Sequence, residues 1–210
     1  MNDFLGKVVL VTGAGKGTGR TLAEAFTRQG ALVAANDISP VNVDAVVAQL
    51  NANGGRARAF VHDIAKKVAL QAMVNEVVDV FGRIDILVNC ANVEPHMSFL
   101  EMDEWDLHRT FEVNAIGAML VAQVVGRVMR SQGGGIIIET ATKARGRPAA
   151  AYISSRAAMP GLVESAWDEL NIHNIQLYGV MTNGADCVNA VFSLCRGDFA
   201  AGTVIRLEEV

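Results

Sequence analysis

Short apolar runs and longer amphipathic stretches alternate from one end of the chain to the other. The runs read as strands at 7–12, 31–37, 56–62, 84–89, 135–140, 175–181 and 203–207. A strand that is apolar on both faces must be covered on both. The stretches between them space their apolar residues helically and read as helices at 18–29, 40–53, 66–81, 103–131, 151–171 and 185–195. Strands alternating with helices predict an α/β fold with a parallel sheet and helices on both faces. No repeat, low-complexity tract or linker interrupts the pattern, so residues 1–210 read as a single domain.

The first strand leads into a glycine loop, Thr12-Gly13-Ala14-Gly15-Lys16-Gly17-Thr18-Gly19, and a helix follows from near Thr18. Asp37 ends the second apolar run. That order suits a dinucleotide. Glycines let the backbone approach a pyrophosphate, a helix start offers free N–H groups, and an acid receives ribose hydroxyls. The expected fold is therefore Rossmann-like and doubly wound. Ligands on such sheets lie at the carboxyl ends of the strands, which selects the loops after Thr12, Asp37, His62, Asn89, Thr140 and Met181.

Composition changes this picture little. Hydrophobic residues make up 51% of the chain, an excess that partner subunits would cover. Charges or glycines interrupt each apolar run, so no bilayer span is expected. A net charge of -4 gives no reason to expect nucleic acid. Cys90, Cys187 and Cys195 make an odd count without ligand spacing, and reduced, mostly buried thiols suit a cytoplasmic protein. His62, His96, His108 and His173 are scattered, so no metal site is expected.

The loops resemble those of the short-chain dehydrogenase/reductase family over nearly the whole chain. Thr12 to Gly19 matches its Thr-Gly-x-x-x-Gly-x-Gly fingerprint. His62-Asp63-Ile64 matches the strand-end acid that contacts adenine, and Asn89-Cys90-Ala91-Asn92 resembles its Asn-Asn-Ala-Gly segment. Asn114-Ala115-Ile116-Gly117 matches the segment with the structural and catalytic asparagine, and Tyr152-Ile153-Ser154-Ser155-Arg156 resembles Tyr-x-x-x-Lys. The resemblance implies NAD as cofactor, held by Gly13, Gly17, Thr18, Gly19, Asp37, Asp63 and Asn89. Asp37 argues against NADP because a carboxylate repels a 2′-phosphate, whereas Lys16 would favour it. The family positions for catalysis are Tyr152, Asn114, Thr142 and Arg156, with the usual serine and lysine replaced.

Those replacements matter. A tyrosine of pKa about 10 must shift by roughly three units, or about 4 kcal/mol, to move protons near neutrality. The family's lysine supplies much of that shift. Arg156 keeps the charge but does not surrender its proton and bonds through a planar fork. Pro160 predicts a kink at the turn carrying Tyr152 and Arg156, because its missing N–H would have bonded the Arg156 carbonyl. The connection from Lys143 to Ala151 is short for Thr142 to reach the tyrosine. Asn92 stands where the family has glycine. After the sixth strand, Met181-Thr182-Asn183-Gly184 passes directly to a helix beginning Ala185-Asp186, so the family's substrate lid is expected to be missing.

The resemblance also supplies interfaces. Its subunits meet through a bundle of helices corresponding to 103–131 and 151–171, and through the last helix and strand. Some members are mixed assemblies of active and inactive chains, one of them acting on a hydroxybenzylsuccinyl-coenzyme A. The expected role is a non-catalytic or weakly active subunit of a hetero-oligomer with an active NAD-dependent homologue, acting on an acyl-CoA-type hydroxy or oxo substrate. The alternatives are an active NAD-dependent oxidoreductase, alone or as a homo-oligomer, and an NAD-binding sensor. A basic cluster of Lys143, Arg145 and Arg147 would meet an acidic partner or a coenzyme A phosphate.

Overall fold

The computed structural model describes residues 3–142, 150–182 and 186–207. Strands are β1 (Val8–Thr12), β2 (Leu32–Asp37), β3 (Arg56–Val61), β4 (Ile86–Asn89), β5 (Gly135–Thr142), β6 (Ile175–Thr182) and β7 (Val204–Arg206). Helices are α1 (Gly17–Arg28), α2 (Pro40–Ala52), α3 (Lys67–Phe81), α4 (Glu104–Phe111), α5 (Ala118–Gln132), α6 (Ala150–Arg156), α7 (Ala158–Asn171) and α8 (Cys187–Arg196). A π-helical turn, Glu112–Gly117, joins α4 to α5. All seven strands form one parallel sheet in the order β3-β2-β1-β4-β5-β6-β7. The order reverses between β1 and β4, the place where such sheets bind ligands.

Both sheet faces are buried, as the apolar runs predict. On one, Leu22 and Phe26 of α1, Val43 and Leu50 of α2, and Val191 and Leu194 of α8 pack on Val9, Val11 and Val33. Phe4, Phe26 and Phe192 close that layer with ring centroids 4.9–5.0 Å apart. On the other face, Leu70, Met73 and Val77 of α3, Val121, Val125 and Met129 of α5, and Met159 and Val163 of α7 cover Leu10, Leu87 and Ile137. Burying a side chain of this size contributes about 1.5–3 kcal/mol, so the two layers hold the strand ends in fixed register.

Three expectations need correction. Glu104–Gln132 forms a helical stretch of 29 residues that is long and apolar enough, by those criteria alone, to cross a membrane. Half of its most apolar part is buried inside the domain, where Val121, Val125 and Met129 enter the core, which accounts for that half of its apolar character. The stretch expected at 151–171 divides into α6 and α7 at Ala157. Pro160 then falls in the first turn of α7, where a missing N–H costs nothing. The third concerns the reach of Thr142, described with the site. Only four residues separate the end of β6 at Thr182 from the start of α8 at Cys187, so no lid element stands between them. Of that connection, 183–185 lie outside the described residues, as do Lys143, Arg145 and Arg147.

Candidate active site

At the switch point the ends of β1 and β4 are tied together. The Thr12 hydroxyl donates to Asn89 Oδ1 and accepts the N–H groups of Cys90 and Ala91 at 3.1 and 3.2 Å. This draws the backbone at Ala91 against Gly13. A Cβ on Gly13 would lie 2.8 Å from Ala91 backbone atoms, and φ is +63° there, so the position needs glycine on two grounds. Gly17 at the start of α1 has φ of +54° with open space beside it. The Lys16 side chain makes no capping bond. The start of α1 therefore faces an open cradle with its N–H groups uncapped by a side chain, the arrangement that binds a phosphate.

A cleft of about 690 Å³ runs across these loops. Gly13, Gly17, Thr18, Gly19, Asp37 and Asp63 line it, together with Asn92 and Thr142. Asn89 does not reach the cleft and acts from behind, through Thr12. Asp37 Oδ2 accepts the Gly15 N–H at 3.0 Å and Oδ1 the Ser39 N–H at 2.9 Å. The carboxylate is thus fixed at the rim with lone pairs still free for hydroxyl groups.

Asp63 has a partner that no motif announces. Its Oδ2 pairs with Arg109 Nη2 at 2.9 Å, and Arg109 Nη1 reaches Glu112 Oε2 at 2.9 Å. Lys66 and then Arg109 hold the Glu112 carboxyl below the usual range. Arg109 lines the cleft. Forty-six positions separate Asp63 from Arg109, and only the packing of α4 beside the end of β3 brings them together.

At the other end of the cleft, Thr142 does reach Tyr152. Its Oγ1 lies 2.7 Å from the phenol oxygen, and its carbonyl oxygen is 2.7 Å away as well. A carbonyl only accepts, so the phenol donates to it, and the Thr142 hydroxyl is left to donate to the phenol oxygen. Tyr152 is buried, and neither it nor Arg156 lines the cleft. Arg156 lies over the tyrosine ring, its guanidinium carbon 5.8 Å from the ring centroid, and Nη2 donates to the Ala91 carbonyl at 3.0 Å. Arg156 Nε has no partner.

Asn114 sits in the π-helical turn. Its amide bonds both the N–H and the carbonyl of Val93 at 2.8 Å, and Nδ2 donates also to Ser155 Oγ at 2.9 Å. Both of its donor hydrogens are thereby used, so Asn114 braces the 93 backbone against α6. Beneath the site lies Glu139 of β5, which belongs to no motif and follows an apolar run. Burial pushes its carboxyl up to about 7, against the opposing effects of its bond from Asn89 and the charge of Arg156.

The arrangement fits a dinucleotide: a phosphate cradle, an acid fixed at the rim and the Thr142 hydroxyl on the lining. The chain is 39% identical over 166 residues to an oxidoreductase from Thermotoga maritima, a match covering 78% of this chain and 65% of the relative. It is 40% identical over 139 residues to D-threitol dehydrogenase of Mycolicibacterium smegmatis, covering 66% of this chain and 54% of that one. Subunit BbsD of a hydroxy(phenyl)methylsuccinyl-CoA dehydrogenase from Thauera aromatica is 37% identical over 166 residues, covering 78% and 67%. The matched stretches thus span about half to two thirds of these relatives. Among solved structures, NAD+-bound xylitol dehydrogenase superposes with a TM-score of 0.90 at 25% identity, covering 98% of each chain. The 7α-hydroxysteroid dehydrogenase complexed with NADH and 7-oxo glycochenodeoxycholic acid gives 0.88 at 26%, covering 98% and 94%. Residues 7–191 match the short chain dehydrogenase family, and the chain belongs to it.

Proposed function

We propose that this chain binds NAD and serves as a weakly active or non-catalytic subunit beside an active NAD-dependent homologue that handles a hydroxy or oxo substrate, an acyl-CoA among the candidates. Gly13, Gly17, Thr18 and Gly19 would hold the pyrophosphate, Asp37 the adenosine ribose, and Asp63 with Arg109 the adenine edge. NAD, when bound, supplies a hydride acceptor at its nicotinamide ring. The observation that carries the reading is the place of Arg156. It is buried behind the cleft wall, bonded to the Ala91 carbonyl, and does not line the space where a lysine would meet a ribose. The Tyr152 proton is tied to the Thr142 carbonyl. With four residues between β6 and α8, little covers a substrate or excludes water.

Assembly rests on an apolar surface. Trp105 and Leu107 of α4, Ile116 of the π-helical turn, Met119 of α5 and Ile153 of α6 are all exposed in the isolated chain. Three free thiols, with Cys90 and Cys187 buried and Cys195 partly so, suit a reducing compartment such as the cytoplasm.

A second reading, an active oxidoreductase, is favoured by the 2.7 Å contact between the Thr142 and Tyr152 hydroxyls. In that reading Thr142 orients the substrate oxygen and Tyr152 exchanges the proton. The test is calorimetric titration of the chain with NAD, followed by NADH formation from a panel of alcohols. The expected outcome is binding without sustained turnover until a full-length homologue is co-assembled. Robust turnover by the chain alone, lost in Tyr152→Phe, would establish the second reading. Absence of heat at millimolar NAD removes both.

A further inference from the structure

Two buried side chains beneath the cleft are each one bond short. Among the described residues, Glu139 Oε1 and Arg156 Nε are the buried side-chain polar atoms without a hydrogen-bond partner. Glu139 is 1% exposed and Arg156 5%. A dry interior penalises an unmet charged group, and buried charges persist by pairing. The two have opposite signs, and the charge of Arg156 acts on the Glu139 carboxyl.

Their remaining atoms converge on one residue, Ala91. Asn89 Nδ2 donates to Glu139 Oε2 at 2.8 Å, and Asn89 Oδ1 receives the Thr12 hydroxyl. Thr12 Oγ1 in turn accepts the Ala91 N–H at 3.2 Å. From the opposite side, Arg156 Nη2 donates to the Ala91 carbonyl at 3.0 Å. Ala91 is thus gripped at its N–H by a chain ending in Glu139 and at its carbonyl by Arg156. It is also the residue on which Gly13 rests.

We propose that Glu139 is the counter-ion of Arg156, joined to it through one ordered water between Oε1 and Nε, and that the pair is a clamp positioning the Ala91 backbone for the dinucleotide. Glu139 is then a positioning residue and acts only through Arg156, Asn89 and Thr12. This rests on the reading that the cleft holds NAD. The groups acting on Glu139 are Arg156 from α6, Asn89 from β4 and the neutral Cys90 thiol beyond it, while β6 faces Glu139 with Gly179. A proton on Glu139 releases the clamp, so NAD affinity rises as the carboxylate forms.

The experiment uses the whole chain and the variants Glu139→Gln, Arg156→Met and the double substitution. Thermal unfolding and NAD titration are each run at pH 6 and pH 8. Arg156→Met is expected to lower the melting temperature more in the otherwise native chain than on top of Glu139→Gln, because the second background has no carboxylate to strand. NAD is expected to bind at least about fivefold tighter at pH 8 than at pH 6, on the scale of ordinary coupling between sites. That difference should shrink in Glu139→Gln. His62 and His96 also line the cleft but are present in both chains, so they set only the residual slope. Additive melting effects, or an unchanged pH profile in Glu139→Gln, would overturn the clamp. If the native chain binds no NAD at either pH, the NAD reading fails and the melting cycle alone judges the pair. Glu139→Gln carries the pH test by itself should Arg156→Met not fold.

Discussion

A carboxylic acid enclosed as Glu139 is prefers its neutral form, and this has a thermodynamic consequence independent of any ligand. Burial raises its folded pKa to about 7 from an ordinary 4.5. Between those values the folded chain holds a proton that the unfolded chain has released. Stability therefore falls as pH rises through the window, by at most roughly 3 kcal/mol. Urea midpoints of the native chain should decline from pH 5 to pH 7.5, and Glu139→Gln should flatten that segment of the curve. Asp37 stands at the cleft rim and accepts two backbone N–H bonds. Removing a charged acceptor of this kind costs roughly 1.5–3 kcal/mol per bond at the upper end. Asp37→Ala should weaken NAD binding about tenfold or more while improving NADP relative to NAD, because the repelling carboxylate is gone. Parallel titrations with the two cofactors measure this ratio; an unchanged preference would move the discrimination elsewhere, to Lys16 first.

The elements show where local pattern suffices and where it fails. The inner strands follow from apolar runs, because a parallel sheet covered on both faces has no alternation to confuse, whereas the edge strand β3 alternates exposed Arg56 and Arg58 with half-buried Ala57 and Ala59. The break at Ala157 follows from Pro160 by a simple steric rule, although the chain absorbs the proline by starting a new helix instead of bending one. Pro160→Ala should accordingly change stability by less than about 1 kcal/mol, whereas Ala166→Pro, in the middle of α7, should cost about 3 kcal/mol or more. Comparing their denaturant midpoints checks the assignment of Pro160 to a first turn. The π-helical turn at Glu112–Gly117 left no such trace, since one extra residue in a turn barely disturbs an apolar stripe. Glu139 was equally hidden. It follows Ile136, Ile137 and Ile138 in β5, and the arginine proposed as its counter-ion stands on α6. Motif spacing located Tyr152 and Thr142, but their contact depends on how far β5 extends, which residue order alone left open.

For the molecule as a whole, the exposed apolar residues of α4, the π-helical turn, α5 and α6 are the clearest departure from what a monomer needs. Trp105 is 71% exposed, Ile116 53% and Met119 45%. Single exposed apolar side chains are ordinary, but a set on adjoining helices marks a contact surface. α4 packs beside α6, which brings Ile153 to the same side of the fold. The core does not use these side chains, so replacing them should leave the fold alone. Ile116→Glu combined with Met119→Glu should change the melting temperature of the isolated chain little and abolish association. In sizing by light scattering, the native chain, alone or co-expressed with a full-length homologue, should run well above its own 22.3 kDa, and the double variant should run near it. A native chain that stays monomeric under both conditions would remove the subunit reading. The few residues between β6 and α8 would then have to be explained for a protein that works on its own, with its cleft open to water.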